Sequence, residues 1–214
     1  MIQTQPVGRH AADEGYYDQS DIDAWIAELA VRLDRAEPEA IEAALTFLER
    51  DPYFFRSGYA RERVARRLAR VALTPGQKAR ARAIVVSSVD GLRHCPQPGV
   101  GRLAKAVADN PLRRELRARL HGDNAAAKRA LRTVVHVRHP GFTRDDIAAA
   151  RALVLTDAAS GQWLSPTVER LARYLWSGRW EAELRALVPY HGPDRAAAKR
   201  LLDAADRRRR RPRP

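Results

Sequence analysis

Six histidines and one cysteine are the residues with which this 214-residue sequence could bind a metal, and their spacing argues against it. His136 and His139 have an H-x-x-H spacing near a helix end, but no acidic or cysteine third ligand stands nearby. His94-Cys95 sits in a proline-rich loop with Pro96 and Pro98. His121-Gly122-Asp123 and His191-Gly192-Pro193-Asp194 recur at related points of the chain. They would be a ligand pair, or two helix junctions with His at the C-terminal dipole, Gly as a left-handed cap and Asp as the next N-cap. All three residue types have a capping reason, so the junction reading is preferred. Asp145-Asp146 follow Thr143 and belong to the first turn of a helix, where acids complement the dipole. No G-x-S-x-G, H-E-x-x-H, P-loop or G-x-G-x-x-G motif occurs, and Gly99-Val-Gly101 lacks the strand and Lys-Ser/Thr pair of a phosphate loop. The expectation is a protein with no catalytic residue, no metal and no cofactor.

Charge is the stronger signal. The formal net charge is +13. Residues 1–52 hold four basic and twelve acidic side chains, while residues 53–214 hold 35 basic and 14 acidic ones. This asymmetry implies an anionic partner, or a basic surface partly neutralised by the acidic N-terminal segment. Lysine occurs only at 78, 105, 128 and 199, so codon bias accounts for Arg over Lys; it does not account for the withdrawal of acids after Pro52. Arg207 to Arg211 form an unbroken basic run that cannot pack. It is expected to be a disordered tail (207–214) suited to sequence-tolerant, salt-sensitive phosphate contacts. The stretch Tyr53-Phe54-Phe55-Arg56-Ser57-Gly58-Tyr59 interleaves aromatics with Arg, as base stacking would require. Packing ahead of the third helix is the simpler use of it.

The elements that position these residues read as helices throughout. Ile22, Trp25, Ile26, Leu29 and Leu33 recur at helical spacing after a capping-box-like Ser20 and Asp23. Pro38 opens a second helix with Ile41, Leu45 and Leu48, and a third carries Val64, Leu68 and Val71. Thr74-Pro75 and Ser165-Pro166 pair an N-cap residue with Pro at the first helical position. Asn110-Pro111, Asp123 and Thr143 mark further starts. No run of alternating apolar residues suggests a strand.

An internal repeat organises the chain. Residues 98–105 (PGVGRLAK) align without gaps on 166–173 (PTVERLAR), and ELRA at 115–118 meets ELRA at 183–186. After a three-residue insertion, DNAAAKR at 123–129 meets DRAAAKR at 194–200. Copy one is thus expected over 74–137 and copy two over 143–205, each of about four helices. Basic residues recur at matching positions: Arg82/Arg151, Arg102/Arg170, Lys105/Arg173, Arg117/Arg185, Lys128/Lys199 and Arg129/Arg200.

The segments 115–129 and 183–200 resemble the junction of a HEAT repeat, in which an Asp opens the second helix and an Arg follows six residues later. Here those pairs are Asp123 with Arg129 and Asp194 with Arg200. The resemblance implies an all-α, right-handed α-solenoid of stacked antiparallel helix pairs, with Asp and Arg forming a ladder between repeats. It also leaves a minor alternative, because HEAT-like DNA glycosylases use aromatics and an Asp in a basic groove. Trp163, Trp176 and Trp180 with Asp157 are the candidates, although no ordered motif transfers those roles.

The expected organisation is a flexible segment (1–19), one helical-repeat domain (20–206, with 20–73 as its N-terminal cap) and the Arg-rich tail. The expected function is non-catalytic binding of a polyanion, foremost a nucleic-acid backbone (DNA or RNA). A protein–protein scaffold holding an acidic partner is the alternative. Candidate contacts are Arg63, Arg67, Arg70, Lys105, Lys128, Arg173, Lys199, Arg207, Arg208, Arg209, Arg210 and Arg211. With no membrane span and no signal peptide read, the expected location is cytoplasmic.

Overall fold

The computed structural model describes residues 19–51, 57–91, 98–134, 136–137, 141–159, 175–189 and 192–209. Among them there are ten α-helices and no strand: α1 (Gln19–Asp34), α2 (Pro38–Arg50), α3 (Ser57–Leu68), α4 (Pro75–Asp90), α5 (Pro98–Ala106), α6 (Asn110–Leu120), α7 (Asn124–Val134), α8 (Arg144–Ala159), α9 (Gly178–Leu187) and α10 (Pro193–Arg209). The protein is all-α. The helices group into two compact units, Met1–Leu116 with His136–His139, and Arg117–Val135 with Pro140–Pro214. The division falls inside α6, part-way through copy one.

In the first unit the apolar period of α1 becomes a single buried stripe of Ile22, Trp25, Ile26, Leu29 and Leu33. Ile41, Leu45 and Leu48 of α2 are buried too, and Trp25 meets Phe47 with ring centroids 5.2 Å apart. The turn between these helices is a Schellman closure. Ala36 takes φ 55°, its N–H donates to the Leu33 carbonyl at 2.9 Å, and the Glu37 N–H donates to Arg32 at 3.2 Å. Helix α3 buries Val64, Ala65 and Leu68, while Val71 lies beyond its end and is half-buried. Helix α4 opens with the N-cap expected at Thr74, which proves to be a full capping box: its hydroxyl accepts from the Gln77 N–H, and the Gln77 side chain accepts from the Thr74 N–H.

Glycine sets the approach of α5. A Cβ at Gly99 would collide with the Glu62 carbonyl of α3, and one at Gly101 would collide with the His136 ring. Both glycines are helical and buried. Glycine inside a helix costs about 1 kcal/mol against alanine, and here the absent side chain lets α5 seat directly on the α3 backbone.

The second unit packs α10 against α8 and α9, and α7 against α8. Its core includes Ala127, Ala130, Leu131, Ala150, Val154, Trp180, Leu184, Ala197, Ala198 and Leu201. The alanines allow close helix approach while keeping high helix propensity. Helix α10 continues through Arg209, past the residue at which the tail was expected to start.

Candidate polyanion-binding surface and the junctions that support it

The acidic N-terminal helices spend their charge inside the first unit. Asp34 holds Arg67, Asp51 holds Arg61, and Glu42 and Glu49 together hold Arg80, with the Glu49 contact at 2.7 Å. Glu28, Glu37 and Glu39 surround Arg32. Hydrogen bonds that Arg80 donates to Glu49 and then to Glu42 raise it above its ordinary value, outweighing burial. Glu42 is lowered, first by its hydrogen bond from Gln77 and then by Arg80. Burial pulls Arg61 down. Of the two readings of the charge asymmetry, neutralisation of neighbouring basic helices therefore accounts for much of the N-terminal acid.

The compensation is uneven. The first unit holds 19 basic and 16 acidic residues, the second 20 and 10. Of the expected contact residues, Arg63, Arg70 and Lys105 are exposed in the first unit and form no ion pair among the described residues. Arg67 is paired with Asp34. In the second unit Lys199 is exposed and unpaired among the described residues, whereas Lys128 is half-buried and already engaged within the chain. Arg207, Arg208 and Arg209 continue α10, and their side chains lie outside the described residues, as do Arg173, Arg210 and Arg211 altogether. Arg102 and Arg195 are further exposed cations without an ion pair among the described residues.

Two of the recurring basic residues turn out to be structural ties. Asp109 caps α6, its Oδ1 accepting from the Leu112 N–H at 2.9 Å, and Arg82 of α4 grips its other oxygen. At the position aligned with Asp109 in the sequence, Ser177 caps α9, its Oγ accepting from the Trp180 N–H at 3.2 Å. There Arg151 of α8 donates to Ser177 Oγ at 2.8 Å and to the Leu175 carbonyl at 2.9 Å. Arg151 also lies 5.2 Å from the Trp180 ring centroid. The sequence shows Arg82 and Arg151 as a matched pair, but gives no sign that each fastens the cap of a later helix.

A cluster of titratable groups joins the end of α6 to the start of α8. Asp146 is buried; its Oδ2 accepts from the Thr143 N–H at 2.8 Å, and His121 Nε2 lies 2.9 Å from its Oδ1. Arg117 approaches to 4.0 Å. Burial alone would raise this carboxyl, but hydrogen bonds from His121 and Thr143, with the Arg117 charge, hold it below its ordinary value. The first-turn role expected for Asp146 is thus observed, with His121 as a partner the sequence did not reveal. His121 and Asp146 are 25 positions apart, and no local pattern links them.

The junction geometry differs from expectation in one respect. Gly122 does not adopt a left-handed conformation; α6 closes instead with the His121 and Gly122 N–H groups donating to the carbonyls of Ala118 and Arg119. Gly192 does take positive φ, at 129°. Asp123 caps α7 as expected, accepting from the Ala125 and Ala126 N–H groups at 3.1 Å each.

Among the remaining candidates, Trp180 is buried and meets Trp176 edge-on at 5.5 Å, and Trp176 Nε1 donates to Glu181. That pair packs a junction. Trp163, His94, Cys95, His139 and residues 53–56 lie outside the described residues, as does the side chain of Asp157. Tyr59, the end of the aromatic stretch, is 75% exposed. Among the described residues, no three His, Cys, Asp or Glu side chains come together as a metal site, and no helix is long and apolar enough to cross a membrane. No family model, curated protein or solved structure matches the chain.

Proposed function

We propose that this is a non-catalytic binding protein whose basic helical surface, with its Arg-rich C-terminal segment, engages a nucleic-acid backbone. One observation carries the reading: Asp34, Glu42, Glu49 and Asp51 are committed to Arg61, Arg67 and Arg80, while Arg63, Arg70, Lys105 and Lys199 are exposed without ion pairs among the described residues. Exposed cations unmatched by carboxylates are a phosphate-binding surface in electrostatic terms. We read its framework as HEAT-like repeats. The matched junctions Arg82–Asp109 and Arg151–Ser177 support this, as do the N-caps at Thr74 and Thr143, which open equivalent helices of the two copies.

The test is fluorescence anisotropy of the full chain with labelled DNA and RNA across salt concentration, beside a full-length variant with Gln at 207–211. Backbone binding requires affinity that falls linearly on a log–log salt plot, with a slope of roughly −0.7 to −0.9 per phosphate contacted. Loss in the variant would place the dominant contacts in the C-terminal segment; retention would place them on the helices. No binding at low salt would overturn the reading in favour of a protein partner, as would affinity indifferent to salt.

A further inference from the structure

Helix α3 has two opposed faces. Ser57, Arg61, Val64, Ala65 and Leu68 form the buried one. Tyr59, Arg63 and Arg66 follow one another at intervals of four and three residues, a spacing that aligns side chains along one line of a helix, and Arg70 stands in the turn that closes it. Tyr59, Arg63 and Arg70 are exposed and Arg66 half-exposed, so this line faces outward. Arg66 is held by Glu62. The side chains of Arg63 and Arg70 and the Tyr59 hydroxyl have no hydrogen bond or ion pair among the described residues.

Tyr59 is the anomaly on this face. It is the most exposed large apolar side chain among the described residues, at 75%, and Val31 follows at 52% on α1. A solvated helix face explains the arginines without explaining an aromatic ring standing in water above them. The residues beside it supply the missing constraint. Arg63 lies one turn beyond Tyr59 and Arg66 about one turn further, roughly 5 Å apart along the axis, and Arg70 follows in the turn after the helix. The line also borders a second basic helix, because α5 contacts α3 through Gly99 at Glu62 and exposes Arg102 and Lys105.

We infer that this face of α3, with the turn that follows it, is a binding platform for single-stranded nucleic acid, Tyr59 stacking on an unpaired base while Arg63 and Arg70 hold the adjoining phosphates. The inference deepens the polyanion reading and rests on it. A duplex offers phosphates but keeps its base faces stacked, so it could use the arginines and not the ring. A single strand offers both, and stacking on an aromatic tolerates any sequence. An acidic peptide would match the cations but gives the ring no flat partner.

The experiment compares three probes of equal phosphate number: single-stranded oligothymidylate, the same strand with abasic sites throughout, and duplex DNA. Full-length wild type, Tyr59→Ala and Tyr59→Phe are measured at one salt concentration. Tyr59→Ala should weaken oligothymidylate binding roughly tenfold, a loss typical of one stacked base, with duplex and abasic affinities unchanged. Tyr59→Phe should bind like wild type, since the ring and not the hydroxyl makes the stack. Because Tyr59 is exposed, neither substitution removes core packing. Wild type that binds the three probes equally, or Tyr59→Ala that binds oligothymidylate as wild type does, overturns this inference while the polyanion reading stands. Wild type that binds none of them at low salt overturns the polyanion reading itself.

Discussion

The α4–α6 junction and the α8–α9 junction, which fall at aligned positions of the sequence segments 74–137 (copy one) and 143–205 (copy two), tie their helices with opposite chemistry. In copy one the first helix opens with a neutral capping box, Thr74 and Gln77, and the tie between helices is an ion pair, Arg82 to Asp109. In copy two the capping box is charged, Thr143 with Asp146, and the tie is neutral on its acceptor side, Arg151 to Ser177 and the Leu175 carbonyl. What stays constant is the arginine, a β-hydroxyl at the first N-cap and an oxygen at the second. The geometry is thus set by where donors and acceptors stand, and the placement of formal charge is interchangeable. Each copy should accordingly respond to salt and acid at a different point.

Arg151→Ala should give the largest effect. It removes hydrogen bonds to Leu175 and Ser177 and the contact over Trp180, from a half-buried site. Charge-assisted hydrogen bonds and a desolvated cation–π contact suggest a loss of about 2–3 kcal/mol. Arg82→Ala removes one ion pair whose partners retain 30% and 37% exposure, for about 1 kcal/mol or less. Urea denaturation of the two full-length variants measures the difference. Arg151→Lys should recover little, since an ammonium cannot reproduce the planar fork. Equal losses at 82 and 151 would break the distinction between the junctions.

These ties mark where the sequence stopped being informative. The α1 stripe is readable because Ile22, Trp25, Ile26, Leu29 and Leu33 lie on one helix and their period is intrinsic to it. The caps at Thr74, Asp123 and Thr143 are readable for the same reason, each contact spanning two or three residues. Arg82 and Asp109 are 27 positions apart, and Glu49 and Arg80 are 31 apart. Such pairings exist only once helices pack. Gly99 and Gly101 show the same limit: beside each other they suggest a loop, and only the backbone of Glu62 and the ring of His136 explain them. Tyr59 was open to a closer reading. Its register with Arg63 and Arg66 is present in the sequence, but its packing depended on neighbours the sequence does not place.

The charged capping box should make acid sensitivity a property of copy two. The folded Asp146 carboxyl lies below its ordinary value, so its stabilisation is complete above the unfolded value near ~3.9 and is lost as pH falls through the lower folded value. Asp146→Asn should cost about 1–2 kcal/mol at neutral pH, by weakening the cap and the His121 contact. It should also flatten the stability profile below pH ~4. Thermal melts from neutral pH to pH ~3 test both parts, and an unchanged acid slope would assign it to other carboxylates. The mirror substitution fails for a local reason. Gln77 Nε2 donates to Glu42 at 2.8 Å, so Gln77→Glu sets two carboxylates together and should cost about 1 kcal/mol at neutral pH. That loss should be relieved on acidification, the reverse of the Asp146 slope.

Ser177→Asp carries the copy-one tie into copy two and should have the smallest effect. Aspartate is as good an N-cap as serine, and Arg151 already stands at hydrogen-bond distance from this position. The substitution would exchange a neutral acceptor for a charged one in a half-buried place that both side chains share with Trp180. A gain of about 0.5 kcal/mol is expected at low ionic strength, shrinking toward zero near ~1 M salt as the new charge is screened. Wild type should show no such salt dependence at this junction. A gain that persists in high salt would mean that the longer side chain improves packing against Arg151, so that reach rather than charge distinguishes the two junctions. A loss would mean that the Leu175 carbonyl, which has no counterpart in the contacts of Arg82, is the acceptor around which the Arg151 junction is built.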